Sequence, residues 1–237
     1  EPISRNIGIR RSNEKNKWIL NTNTDMIFIP KIHKNLTEMV STLTLRHYAA
    51  PRFEIPESIW ETFDRIDPQK IFSSLEKLGT DLHLHEVVGG EIHNRYDAPG
   101  DFQLVLREDV FKINGFNEEM LIGWHCDSNL NKRLMILNGP IGDAQPLINA
   151  YHCDHTREVT PMHSSQAPAN DGNKYIYNVT KAIANKQPKW GMPYIDFDEI
   201  RISDSQNKFV LESILDGLKD YKKGETYSRY APESYEK

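Results

Sequence analysis

Two short apolar runs separated by a polar break constrain this chain most. Trp18-Ile19-Leu20 is followed by Asn21-Thr22-Asn23-Thr24-Asp25, and apolar character returns as Met26-Ile27-Phe28-Ile29 before Pro30 ends it. A continuous apolar run of this kind marks a strand covered on both faces. Polar groups at the end of such a strand are costly unless they are hydrogen-bonded or bind something. Asn23 and Asp25 stand at i and i+2, where a bend can turn both oxygens toward one hard cation. Mg2+ and Mn2+ take oxygen ligands and share them with substrate phosphates. A turn closed by Asx hydrogen bonds explains the same residues without an ion.

The rest of the 237-residue chain reads as alternating helices and strands, enough to bury a sizeable core. Residues 2–13 read as a helix with Ile3, Ile7 and Ile9 as candidate buried positions. Residues 34–48 read as a helix with Leu36, Met39, Val40, Leu43 and Leu45 turned inward. Pro51 and Pro56 punctuate a loop, and helices follow at 57–66 and 68–78, the second with Pro68 at its first position. His83, His85 and His93 fall in a loop or weak strand. A strand over 101–106 leads to a helix over 108–114, with Gly115 as its C-cap. A helix over 129–137 and a strand over 147–151 come next, and His152-Cys153-Asp154-His155 follows that strand. Residues 158–173 are rich in Pro, Ser, Asn and Asp and read as a lid loop. Helices are expected at 174–186 and 205–221. This divides the chain into a core, 1–157, and a lid with a helical C-terminal extension, 158–237.

Charge and composition exclude several classes. The net charge is −5 and Lys and Arg are dispersed, so no basic stripe suggests nucleic acid. No apolar run reaches the roughly 18 residues of a membrane span. The opening Glu1-Pro2-Ile3-Ser4 does not have the pattern of a signal peptide. Cys126 and Cys153 do not make a disulfide framework. The expected setting is cytoplasmic, with peripheral membrane association left open.

Two further constellations carry chemistry. In Gly123-Trp124-His125-Cys126-Asp127-Ser128-Asn129-Leu130, an aromatic and a carboxylate share one turn before a helix. Asp127 could accept a proton from a substrate hydroxyl in a water-poor cleft. Asp127 or Ser128 could equally be the helix N-cap. In the segment from His152 to His155, a histidine just past a strand suits Mn2+, which accepts nitrogen more readily than Mg2+ does. His-x-x-His also raises zinc, but the two cysteines belong to no Cys-x-x-Cys pair. A surface histidine pair without an ion is the plainer reading.

The order of these constellations resembles inverting GT-A glycosyltransferases, family 2 in particular. Ser4-Arg5-Asn6-Ile7-Gly8-Ile9 is similar to that family's Arg-Asn-x-Gly helix, and the run from Trp18 to Asp25 to its Asp-x-Asp strand. Gly100-Asp101-Phe102, Arg107-Glu108-Asp109 and Gly115-Phe116-Asn117-Glu118 resemble its later strand and Gly-Gly-Phe turn. Gly123 to Arg133 resembles its Trp-Gly-Gly-Glu-Asp stretch, one residue shorter and with His125-Cys126-Asp127 in place of Gly-Gly-Glu-Asp. Ala150-Tyr151-His152 resembles the approach to its late metal-binding histidine. The likeness covers residues 3–157.

The resemblance implies a Rossmann-like α/β fold, with a mixed, mostly parallel sheet flanked by helices and a helical C-terminal appendage. It implies a hexosyltransferase-like activity. A sugar would pass from a UDP- or GDP-sugar to a glycan or other hydroxyl acceptor, with inversion and with Mn2+ or Mg2+. Asn23, Asp25 and His152 would hold the metal, with Asn23 where the family has an Asp. Arg5, Asn6 and Asp101 would bind the donor. Asp127 would be the catalytic base, with His125 as substitute, and Trp124 and His125 would line the acceptor pocket. The family's nucleobase-binding strands and helices would precede residue 1. A catalytically silent relative that binds a glycan or partner is the alternative. A metal-dependent hydrolase using His125, Asp127, His152 and His155 would leave the Arg5-Asn6-Ile7-Gly8 segment unexplained.

Overall fold

The computed structural model describes residues 1–85, 100–120, 126–155, 157–158 and 189–197, together with Glu212 and residues 226–227. The described helices are α1 (Pro2–Arg11), α2 (Leu36–Ser41), α3 (Glu57–Trp60), α4 (Pro68–Leu78), α5 (Arg107–Lys112) and α6 (Cys126–Asn138). The strands are β1 (Trp18–Asn21), β2 (Met26–Pro30), β3 (His47–Ala49), β4 (Arg52–Ile55), β5 (His83–His85), β6 (Gln103–Leu106), β7 (Gly142–Asp143), β8 (Ile148–Cys153), β9 (Arg157–Glu158) and β10 (Thr226–Tyr227). The α/β content expected from the sequence is present.

The sheet architecture differs from the expectation. The described strands form two four-stranded sheets, ordered β1-β6-β3-β7 and β2-β8-β4-β5, and a β9-β10 ribbon. Among the described strands only β3–β7 and β4–β8 pair in parallel. The other pairings are antiparallel, so the expectation of a mostly parallel sheet is corrected. The physical reason lies in the layering. Ile19 of β1 packs into one apolar core with Val105, Leu130 and Leu134, under α5 and α6. Its neighbours Trp18 and Leu20 pack on the other face, against Tyr48, Leu104 and Ala150. A strand caught between two cores reads as continuously apolar whichever way its partners run.

The second sheet is covered in the same way. Ala150 faces the space between the sheets, while Tyr151 faces α3 and α4 through Ile55, Leu75 and Trp60. The result is four layers: helices, sheet, sheet, helices. Each fully enclosed Phe116, Leu130 or Leu134 contributes about 2 kcal/mol of hydrophobic stabilisation.

Several local expectations are also corrected. The helix expected over 34–48 ends at Ser41, and Leu45 is exposed. β-branched Thr42 and Thr44 favour extended chain. The Tyr48 hydroxyl accepts hydrogen bonds from the Thr44 and Leu45 amides (3.0 and 2.9 Å), and His47–Ala49 pairs with β6. The segment between Pro51 and Pro56 is a strand, because the prolines flank the four residues of β4 and do not interrupt them. β8 continues through Cys153, so His152 lies within a strand and not beyond it. In α1 the buried residues are Pro2, Asn6 and Ile9; Ile3 and Ile7 are only half-buried. The helix expected at 174–186, that at 205–221 apart from Glu212, and the lid at 158–173 apart from Glu158 lie outside the described residues.

Candidate active site

Strand alternation assembles the site. Cross-strand partners share a face of a sheet. In the second sheet Glu54 stands opposite His152 and Arg52 opposite Ala150, so Arg52, Glu54 and His152 point into the space between the sheets. There, at the end where β1 passes into β2, polar groups replace the apolar filling. The Cys153 amide donates to the Asp25 carbonyl at 2.9 Å, which pins the turn beside His152.

The Asp25 carboxylate then meets two imidazoles. Its Oδ2 lies 3.3 Å from Nε2 of His152 and 3.4 Å from Nε2 of His155. The opposite ring nitrogen of His152, Nδ1, lies 2.5 Å from Oε2 of Glu54. Glu54 also accepts from Nε of Arg52 at 2.6 Å, and Arg52 pairs with Asp101. Asp101 in turn accepts from the Asn23 amide at 2.5 Å, and Nη2 of Arg5 donates to Asn23 Oδ1 at 2.7 Å. The chain of contacts therefore leaves the turn at Asp25 and returns to it at Asn23.

Electrostatics follow from these contacts. Burial raises the Asp25 carboxyl, but hydrogen bonds from His152 and His155 outweigh it and hold it well below the usual carboxylate range. Burial lowers the His152 imidazole, yet its bonds to Asp25 and Glu54 dominate and raise it to about 9. Burial likewise raises Glu54, and contacts with His152 and Arg52 bring it below its ordinary value. Asp25, His152 and His155 offer ligand atoms within 4.8 Å of one another. One carboxylate oxygen and two imidazole nitrogens fit a divalent ion. Oδ1 of Asp25 is sealed from solvent with no hydrogen-bond partner among the described residues.

An open hollow of about 440 Å³ adjoins this cluster, lined by Glu1, Ser4, Arg5, Asn23, Thr24 and Asp25 among others. Asp127, second residue of α6, has its carboxylate within 4.8 Å of that of Glu1. Burial raises its pKa to about 6, opposed by the charge of Arg5 and the backbone of Gly100 and helped by Glu1 and Asp101. Gly100 presses against it: a Cβ at residue 100 would stand 2.4 Å from the Asp127 carboxyl.

The structure thus brings together Asp25, His152, Asn23, Arg5 and Asp101, with Asp127 nearby. Asn23 is spent on Arg5 and Asp101. Asn6, expected to bind the donor, is fully buried. Its amide oxygen accepts from the Phe116 amide at 2.7 Å, and its nitrogen donates to the Phe116 carbonyl and to Glu118, both at 2.9 Å. Asn6 is a clamp on the 115–118 turn, where Gly115 (φ 65°) has no room for a Cβ beside it. Trp124 and His125 lie outside the described residues. Sequence reasoning missed Arg52 and Glu54, although the alternation in Arg52-Phe53-Glu54-Ile55 was a strand signal. No protein family, curated protein or solved structure matches the chain.

Proposed function

We propose that this chain is a GT-A-like, metal-dependent glycosyltransferase that moves a sugar from a UDP- or GDP-sugar to a hydroxyl acceptor with inversion. One observation carries the reading. A cluster fit for a divalent cation, Asp25 with His152 and His155, adjoins a hollow through Asp25, and Asp127, whose carboxylate lies within 4.8 Å of that of Glu1 on the hollow's wall, has its proton affinity raised. The order of motifs along residues 3–157 supports it independently. Asp25 and His152 would hold the cation, which when bound neutralises charge building on a departing diphosphate. Arg5 on the hollow's wall adds positive charge for the same phosphates.

The chemistry assigned to the chain's own residues is a single displacement. The acceptor hydroxyl oxygen forms a bond to the anomeric carbon as the bond from that carbon to the diphosphate oxygen breaks. The hydroxyl proton passes to Asp127, and the nucleoside diphosphate leaves with the bonding pair. A base whose conjugate acid titrates near 6 is ionised at neutral pH yet more basic than an ordinary aspartate. A second reading, a silent binding protein, draws on Asn23, whose amide is committed to Arg5 and Asp101.

A thermal-shift screen of UDP- and GDP-sugars, with and without Mn2+, followed by acceptor-dependent release of nucleoside diphosphate, tests the proposal. Metal-dependent stabilisation with turnover supports transfer. Stabilisation without turnover across an acceptor panel favours the silent binder, and the absence of any nucleotide-sugar effect sinks the transfer reading.

A further inference from the structure

We propose that His155 takes the place of Asn23 as the third protein ligand. This makes a site of two imidazoles and one carboxylate that selects Mn2+ or a later divalent transition ion over Mg2+, with Glu54 as the residue that positions His152. The inference rests on the reading that Asp25 and His152 hold a cation.

Asn23 is withdrawn from the site by its own hydrogen bonds. Its oxygen, the atom that could ligate, accepts from Arg5 at 2.7 Å, and its nitrogen donates to Asp101 at 2.5 Å. Asp101 is itself held by the buried Arg52, so turning Asn23 toward the ion would leave buried charges unsatisfied. His155 meets the geometric need. Its Nε2 and that of His152 lie 3.4 and 3.3 Å from the same Asp25 oxygen. Atoms at such separations can all reach one ion through bonds of about 2.0–2.2 Å. The buried, unpartnered Oδ1 of Asp25 independently marks a carboxylate whose bonding within the described residues is incomplete.

Glu54 decides which nitrogen of His152 is offered. By accepting from Nδ1 it fixes a proton there, so Nε2, the nitrogen that faces Asp25, is the one that gives up its proton to an ion. A rival cluster, Glu54 with His152 and Asp154, is buried throughout and has no open side for a substrate phosphate. At the Asp25 cluster the side chain of His155 is 39% exposed, which leaves that side accessible. Nitrogen donors set the preference. Mg2+ favours oxygen octahedra and retains its waters, whereas affinity for imidazole sites rises from Mn2+ through Co2+.

The test uses the metal alone, with the full chain and no nucleotide. Titration calorimetry with MnCl2 and MgCl2 should show Mn2+ bound about tenfold or more tightly than Mg2+. Electron spin-echo envelope modulation should show two coupled nitrogens on Mn2+ in the wild type and one in His155→Ala. His155→Ala and Glu54→Gln should each weaken Mn2+ by about tenfold or more, while Asn23→Ala stays within about twofold of wild type. Circular dichroism and metal-free melting establish that each variant is folded, and His155→Gln gives a second variant at the partly exposed position. Wild-type Mn2+ affinity in folded His155→Ala, a single coupled nitrogen in the wild type, preference for Mg2+, or no divalent binding at all would each overturn the assignment. Mn2+ binding as expected with no sugar transfer would refute the proposed function and leave the ligand set standing. Mn2+-dependent transfer unaffected in His155→Ala would do the reverse.

Discussion

Glu54 and His152 face each other across β4 and β8, both buried, with 2.5 Å between Oε2 and Nδ1. On the far side of the ring, Asp25 lies 3.3 Å from Nε2. An imidazole between two carboxylates holds its proton tightly, and His152 is accordingly raised from 6.5 to about 9.

That relationship predicts a pH dependence in the presence of a chelator. The folded pKa of His152 exceeds its unfolded value. Its contribution is therefore fully present below about pH 6.5 and is lost as pH rises through about 9. Asp25 and Glu54 are shifted downward, so their contributions are present above the ordinary carboxylate range and are lost in acid. Metal-free stability should fall by on the order of 2 kcal/mol between pH 6.5 and 9.5. His152→Gln should flatten that limb. Urea melts at stepped pH measure it, and an unchanged slope in the variant would refute the pairing.

Asp127→Asn should lower turnover by about 10²–10⁴-fold while donor binding stays near wild type, because the base acts on the acceptor. In the wild type, kcat should rise through about pH 6 and then level, since the carboxyl must lose its proton to work. Near-wild-type turnover in the variant would shift the role of base to His125.

Gly100→Ala should displace the Asp127 carboxyl, which a new Cβ would meet at 2.4 Å. The expected outcome is a loss of turnover larger than the loss of stability, the latter about 1–3 kcal/mol for overpacking. Parallel measurement of kcat and of the urea midpoint separates the two effects.

Asn6→Ala should destabilise the fold by about 2–4 kcal/mol, because it leaves the buried Phe116 amide and carbonyl without their partner. Donor affinity of the folded fraction should not change. A weakened donor Kd at full stability would return Asn6 to the binding site.

Sequence legibility followed local physics. The apolar run at Trp18 to Leu20, the Pro68 helix start and the Gly115 turn announce themselves through propensity and backbone conformation. Asp25 and His152 each follow an apolar run in the sequence, which makes both candidates for one site, but nothing in the chain marks Glu54 as their partner. Arg52 and Glu54 look like loop residues until their strand is paired, and Asn6 looks like a ligand-binding residue until its amide is found closed on Phe116.

By itself the sequence determined which segments could form elements, which side chains could bear charge or bind a cation, and the order in which they occur. Only the tertiary structure decided strand direction, the stacking of two sheets, and which polar groups were consumed in holding the fold. Periodicity reports whether a face is covered but not by what, because burial between two cores looks the same for parallel and antiparallel neighbours. Hydrogen-bond commitments such as those of Asn6 and Asn23 join residues 110 and 78 positions apart, and no local pattern encodes a partner at that distance.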